Sequence, residues 1–174
     1  VIKVERPRIG DFARHYDRTV NGLSSHFVWL NRSKESLTLD LKRPEAHDIL
    51  IRLLARADVF VQNLAPSAAE RLGLGVASLR QTYPRLIVCG VSGYGAPGPY
   101  SHKKMYDLLV QAESGLISIT GTEPEPVKVA MSVADIAAGM YAYTGILTAL
   151  FARERTGAGT SIDVSMLEAL AEWM

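Results

Sequence analysis

The chain has 174 residues, 48% of them hydrophobic and 21% charged, which suits one globular domain with a sizeable core. Nineteen Lys and Arg against eighteen Asp and Glu, with no run of like charge, give no sign of nucleic acid or an anionic membrane as partner, so any anion site must be local. The single Cys89 excludes an internal disulfide, and inside the apolar run LIVCGV it reads as a buried structural thiol. No apolar stretch approaches the roughly 20 residues of a membrane span, and the N-terminus lacks the shape of a signal peptide. A cytoplasmic location is the resulting expectation.

The chain opens on VIKVE, a short β-rich run ended by Arg6-Pro7, and residues 8–26 are polar and turn-rich, as a surface excursion would be. Pro44 suits a first helical turn, and Ala46, Ile49, Leu50, Leu53, Leu54 and Ala57 recur at three- and four-residue steps, predicting an amphipathic helix. Burying its Leu and Ile side chains at ~1.5–3 kcal/mol each is reason enough to pack on a sheet. ADVFVQN reads as a strand, SAAERLG as a short helix closed by Gly73, and PRLIVCGV as a strand apolar on both faces. This alternation predicts one parallel sheet with covering helices.

Residues 92–104 hold three Gly and two Pro and should be loop. MYDLLVQAESG follows as a helix and LISITG as a short strand or extended segment, while the prolines of TEPEPVKV bar a helix there. From Ile136 to Arg155 a long helix, nearly apolar on all sides, should be heavily buried until RERTGAG ends it. TSIDVSM reads as a last strand turning into a terminal helix. The start without Met and the close in mid-helix suggest a fragment, or the ordered part, of a longer chain.

Familiar site motifs are missing. The Gly-rich loop lacks the Gly-Lys-Ser/Thr of a phosphate-binding loop, and GVSGYG is not followed by the helix that a dinucleotide fingerprint requires, so it also suits a plain surface loop. His15, His26, His47 and His102 are scattered without ligand spacing, so no metal site is expected. VSGYG is not the G-x-S-x-G of a serine hydrolase. Asp135 is the acid of the otherwise small and apolar SVADIAAGMYA, with no cation within six residues on either side. It suits a helix cap, worth ~0.5–2 kcal/mol, and also a nucleophile.

The motifs VIKVERPRIGD, LNRSKESLTLDLK, ADVFVQNLAPSAAERLGLG, VSGYGAPGPY, YDLLVQAESGLISITG, VADIAAGMYAYTGILTAL and RTGAGTSIDVSMLEA stand in an order that resembles the class III CoA-transferases, the formyl-CoA transferase, carnitine-CoA transferase and CaiB/BaiF type. The resemblance spans nearly the whole chain. It implies a Rossmann-like α/β fold in which residues 1–174 are an incomplete large domain of an interlocked homodimer. It also implies transfer of coenzyme A between an acyl-CoA donor and a carboxylic acid acceptor, with no permanently bound cofactor. SMLEALAEWM is similar to members acting on dicarboxylates with succinyl-CoA as donor.

Asp135 matches the family acid that forms covalent aspartyl intermediates. Ala134, Ala137, Ala138 and Gly139 would then admit a thioester closely, a dry pocket would protect the anhydride, and helix-start N–H groups would hold a developing oxyanion. The same resemblance places Arg6, Leu39, Lys42, Asn63, Leu64, Ala68, Arg71, Leu72, Lys104 and Tyr106 along the coenzyme, with Arg71, Lys104, Lys42 and Arg6 as the cations for its phosphates. Leu39 and Leu72 equally suit a core, and Asn63 a strand-end turn. The 2-methylacyl-CoA racemases of the family carry His-Asp where this chain has Tyr106-Asp107, which disfavours that alternative. A catalytically incomplete, coenzyme-binding fragment is the remaining one.

Overall fold

The computed structural model describes residues 1–65, 67–95 and 98–174. They form two compact units, Val1–Leu53 and Leu54–Met174.

In the first unit, β1 (Ile2–Glu5) pairs in parallel with β2 (Glu35–Thr38), Ile2 opposite Glu35 and Glu5 opposite Thr38. Between them lie a single 3₁₀ turn (Phe12–His15) and α1 (Ser25–Leu30), whose Ser24 cap accepts from the Phe27 N–H. Then comes α2 (Pro44–Leu54), with Ala46, Leu50 and Leu54 buried on one face as the periodicity predicts. Neither α1 nor β2 is among the expected elements. Six residues are too few for a helical period, but β2 does alternate, with half-buried Leu37 and buried Leu39 set between exposed Ser36, Thr38 and Asp40.

What orders this unit is a buried charge. The Glu5 side chain, 2% exposed, takes both Arg14 guanidinium donors at 2.9 Å, the Asp11 N–H at 3.0 Å and the Ser36 hydroxyl at 3.3 Å. Lys3 pairs with Asp11 and Asn31, and the Arg14 guanidinium lies 4.0 Å from the Phe27 ring centre. Gly10, at φ +64°, permits the close turn, for a Cβ there would stand 2.8 Å from the Glu5 carboxylate.

In the second unit, β3 (Val59–Gln62), β4 (Ile87–Ser92) and β7 (Ser161–Ser165) form a parallel sheet in that order, with β4 central. Two short helices, α3 (Ala68–Arg71) and α4 (Val76–Thr82), link β3 to β4. The α4 helix went unread because it follows Gly73 and Gly75 too closely to show a pattern of its own. Between β4 and β7 come α5 (Asp107–Glu113), a 3₁₀ turn (Leu116–Ile119), the two-residue antiparallel pair β5 (Gly121–Thr122) and β6 (Glu125–Pro126), and α6 (Val133–Thr156). The final helix, α7 (Met166–Ala171), starts directly from β7 with its Ser165 cap accepting from Glu168 N–H. Residues 116–119 of LISITG thus form a tight 3₁₀ turn, since Gly115 at φ +87° reverses the chain just before them, and only Thr120 and Gly121 are extended or in a strand. The hydrogen bonds also divide the strands, β1 joining β2 and not β3, so the single sheet expected from alternation is two parallel sheets.

The α6 helix packs on α5, β4, β7 and α7. Ala134, Ala137, Ala138, Ala142 and Ala149, at helical spacing, form its buried face, and a Cβ at Gly145 would meet Ile162 at 3.2 Å. Its far end is clamped by buried Arg153, which donates to the Asp58 carboxylate at 2.9 Å and to the Asp58 and Arg85 carbonyls, and is closed by Gly157 at φ +73°. Two expectations fail here. This helix is not heavily buried: Ile136, Met140, Tyr143, Leu147 and Phe151 lie exposed along one side. It is also long and apolar enough by length and composition to cross a membrane, because Thr, Gly and Tyr interrupt the apolar run without making it polar before Arg153.

Cys89 is fully buried, and that burial, with Asp163 nearby, pushes its thiol pKa up.

The Glu5 network sets a pH dependence. The Arg14 hydrogen bonds hold the Glu5 carboxyl well below its usual 4.5, at about 2, so its contribution to folding is complete above pH 4.5 and vanishes as pH falls to 2. Stability of the first unit should drop by roughly 3 kcal/mol across that window, followed by Trp29 fluorescence in a Trp173→Phe background. Glu5→Gln is expected to be destabilised at pH 7 and to lose that acid slope.

Candidate functional site

Chain direction sets where the candidate residues stand within each unit. Parallel strands present all their carboxyl ends at one edge, where ligands of open α/β sheets bind. In the first unit Arg6 and Leu39 directly follow the paired ends Glu5 and Thr38, and Lys42 stands in the turn before α2. Arg6 and Lys42 are exposed, whereas Leu39 is buried and its N–H donates to the Glu5 carbonyl, so this side chain serves the core. The Asp40 carboxylate shapes the turn by accepting from the Lys42 N–H at 3.2 Å.

In the second unit Asn63 and Leu64 follow β3 and are exposed, with the Gln62 side chain accepting from the Leu64 N–H at 2.8 Å. Half-buried Ala68 opens α3, exposed Arg71 ends it, and half-buried Leu72 caps it. The loop after β4 carries Lys104 and Tyr106, both exposed, Tyr106 being the residue that precedes α5.

The Gly-rich loop is built, over its described part, by close approach. A Cβ at Gly93 would stand 2.3 Å from that of Met105, and the Gly93 carbonyl accepts from the Leu167 N–H at 3.0 Å. Tyr94 donates to Glu113 at 2.7 Å, and partial burial together with that bond pushes its phenol up to about 12. Lys103 sits 3.5 Å from the centre of the Tyr100 ring, which itself packs edge-on to Tyr94. Lys103 is therefore engaged within the loop, whereas Lys104 has no ion pair among the described residues. Ala96 and Pro97 of the quoted motif lie outside the described residues.

Asp135 is the third residue of α6, a helix that leads into β7 and so starts at the carboxyl-end edge of the sheet. It is exposed. Two grooves, of about 710 and 280 Å³, run beside α6 and β7 between Tyr141 and Glu172, and Asp135 lines neither of them. The small neighbours also divide differently than expected. Ala134, Ala137 and Ala138 are 0–2% exposed and fill the core, leaving Gly139, one turn beyond Asp135, as the small residue on the open side; a Cβ there would meet nothing within 4 Å.

The helix-start donors are spoken for as well. Val133 N–H bonds to Met131, Ile136 N–H to Ser132, and the N–H groups of Ala134 and Asp135 donate to the Asp107 carboxylate at 2.8 and 3.3 Å. They are not free for an oxyanion, contrary to the sequence reading. Sequence inspection treats Asp107 only as the companion of Tyr106, because a cap supplied from another helix leaves no local signal.

Two parallel sheets with covering helices define an α/β protein of Rossmann-like architecture, and in each unit exposed cations and polar residues follow the carboxyl ends of the strands. Residues 1–174 match CoA-transferase family III, and the chain belongs to that family. It is 41% identical over 169 residues to the succinyl-CoA:glutarate CoA-transferase of Mus musculus, covering 96% of this chain and 39% of that protein. With the acetyl-CoA:oxalate CoA-transferase of Acetobacter aceti it shares 41% identity, over 96% of this chain and 43% of the relative. The crystal structure of a CAIB/BAIF family protein from Brucella suis superposes with a TM-score of 0.92 at 34% identity, over 99% of this chain and 47% of that one. The chain thus spans less than half the length of these relatives.

Proposed function

We propose that the protein transfers coenzyme A from an acyl-CoA, succinyl-CoA being the preferred donor, to a carboxylic acid, with Asp135 as covalent nucleophile. The observation that carries this reading is the position of Asp135: an exposed carboxylate in the first turn of α6, at the strand-end edge, with an open Gly139 face one turn on.

An Asp135 oxygen attacks the thioester carbonyl, the C–S bond breaks, and the coenzyme leaves as thiolate beside a mixed anhydride. The thiolate then attacks the aspartyl carbonyl, forming an aspartyl thioester and releasing the donor acid. The acceptor carboxylate attacks that thioester and regenerates anhydride and thiolate, and the thiolate takes the new acyl group, freeing Asp135. The cycle needs no outside oxidant or energy source, since the uphill formation of each anhydride is offset by its conversion to a thioester and overall one thioester replaces another. The phosphates of the coenzyme are met by Arg71 and Lys104 in the second unit, and Arg6 and Lys42 of the first are the further cations. Leu64, Ala68, Leu72, Asn63 and Tyr106 supply apolar and hydrogen-bonding contacts.

Tyr106 is phenolic where racemisation of a 2-methylacyl-CoA would use an imidazole base, which favours transfer. A homodimeric assembly belongs to the same reading.

Intact-mass analysis of the full-length protein mixed with a panel of acyl-CoAs should show covalent gain of coenzyme mass, mapped to the peptide holding Asp135. Asp135→Ala should cut label exchange between succinyl-CoA and a free acid by roughly a thousand-fold or more; retained exchange would refute the assignment. Gly139→Ala should separate stability from access. Replacing Gly inside a helix stabilises by about 1 kcal/mol, read as a higher melting temperature, while the added methyl slows acylation of Asp135.

A further inference from the structure

We infer that Asp107 and Gln111 of α5 form a positioning brace that fixes the start of α6, and with it the Asp135 backbone. The significance of the brace for transfer rests on the coenzyme reading above; its existence does not.

Ser132, at the position where a helix normally carries its own cap, makes no side-chain cap bond. The cap comes from α5, where one Asp107 oxygen accepts from the Ala134 and Asp135 N–H groups and the other accepts from Gln111 Nε2 at 2.6 Å. Gln111, one turn along, is fully buried. Its Nε2 also faces the Val129 and Met131 carbonyls at 3.3 and 3.4 Å, and its Oε1 accepts from the Val129 N–H at 2.8 Å. Two side chains therefore grip the segment entering α6 and the first turn itself. A buried amide is not kept without full satisfaction, and this one is spent on locking residues 129–131.

The network also demands a carboxylate. Both Asp107 oxygens accept, so an Asn would turn one NH₂ toward a donor. Gln111 cannot rotate to relieve that conflict without giving up Val129 and Met131. An Asp107 variant should hence disturb where the Asp135 carboxylate stands more than whether the coenzyme binds.

Hydrogen exchange of the full-length wild-type protein, read over peptides spanning residues 129–136, should show the Ala134 and Asp135 amides as protected as those of the helix interior. Exchange there at the rate of exposed backbone overturns the brace, whatever any variant does. Asp107→Asn should speed that exchange and lower kcat by about tenfold or more, while KM for the acyl-CoA stays within about threefold. A raised KM with intact kcat would make Asp107 a coenzyme contact, and unchanged kcat with unchanged exchange would remove it from the site; both refute the proposal. Should wild-type protein form no acyl-enzyme, the coenzyme reading falls, and the exchange rates alone still decide whether the brace exists.

Discussion

The second unit is organised by the need to cover β4 on both faces. Ile87, Val88 and Cys89 point alternately to opposite sides and are all 0–1% exposed. A parallel strand in that state cannot be joined to its neighbours by hairpins, so each connection must be a helical crossover that lies on the sheet. From β4 to β7 that crossover brings in α5 and α6. The alanine face of α6 is what allows so long a helix to lie close to the strands, since bulkier side chains at Ala134, Ala137 or Ala138 would hold it away from Val110, Val164 and Leu170.

Once α6 is laid on the sheet, its ends are determined. Arg153 fastens the last turns to the amino ends of β3 and β4 through Asp58 and Arg85, and Asp107 fastens the first turn at the opposite edge. Charged groups do this work at both ends. Arg153 sits where a Lys could not reach three acceptors in a fixed fork, and the Asp107 carboxylate lies where the N–H groups of a helix start favour negative charge. The result is a rod held at two points with Asp135 at one tip. The first unit obtains similar rigidity from the buried Glu5 and Arg14 pair, which holds the turn after β1 and so the place from which Arg6 projects.

Much of the chain was legible from residue order. The helix at Pro44–Leu54, the strands holding VFVQ and IVCG, the Gly73 stop, the long helix and the closing strand and helix all carry strong period, breaker or composition signals, and each stands close to where it was expected. The missed helices α1 and α4 are short, and six or seven residues hold too few periods to separate helix from loop, whereas β2 is missed although Leu37, Leu39 and Leu41 alternate there with polar residues. The misreading of 116–119 has another origin, since the β-branched residues of LISI favour a strand until the left-handed Gly115 commits them to a turn.

At the candidate site the division is sharper. The sequence by itself determined which residue types are present and in what order: a lone acid among small residues, a Gly-rich loop, and scattered cations, enough to reveal the family. Only the tertiary structure decided which of them are buried and which are left open. It turned three of the four small neighbours of Asp135 into the core, kept Gly139 open, engaged Lys103 with Tyr100 and left Lys104 exposed, and brought Asp107 across 28 positions to the Asp135 N–H. The physical reason is that burial and capping are relations between elements. A periodic pattern reports which face of a helix is apolar, but what lies against that face, and which carboxylate completes its first turn, are fixed by packing between segments remote in sequence.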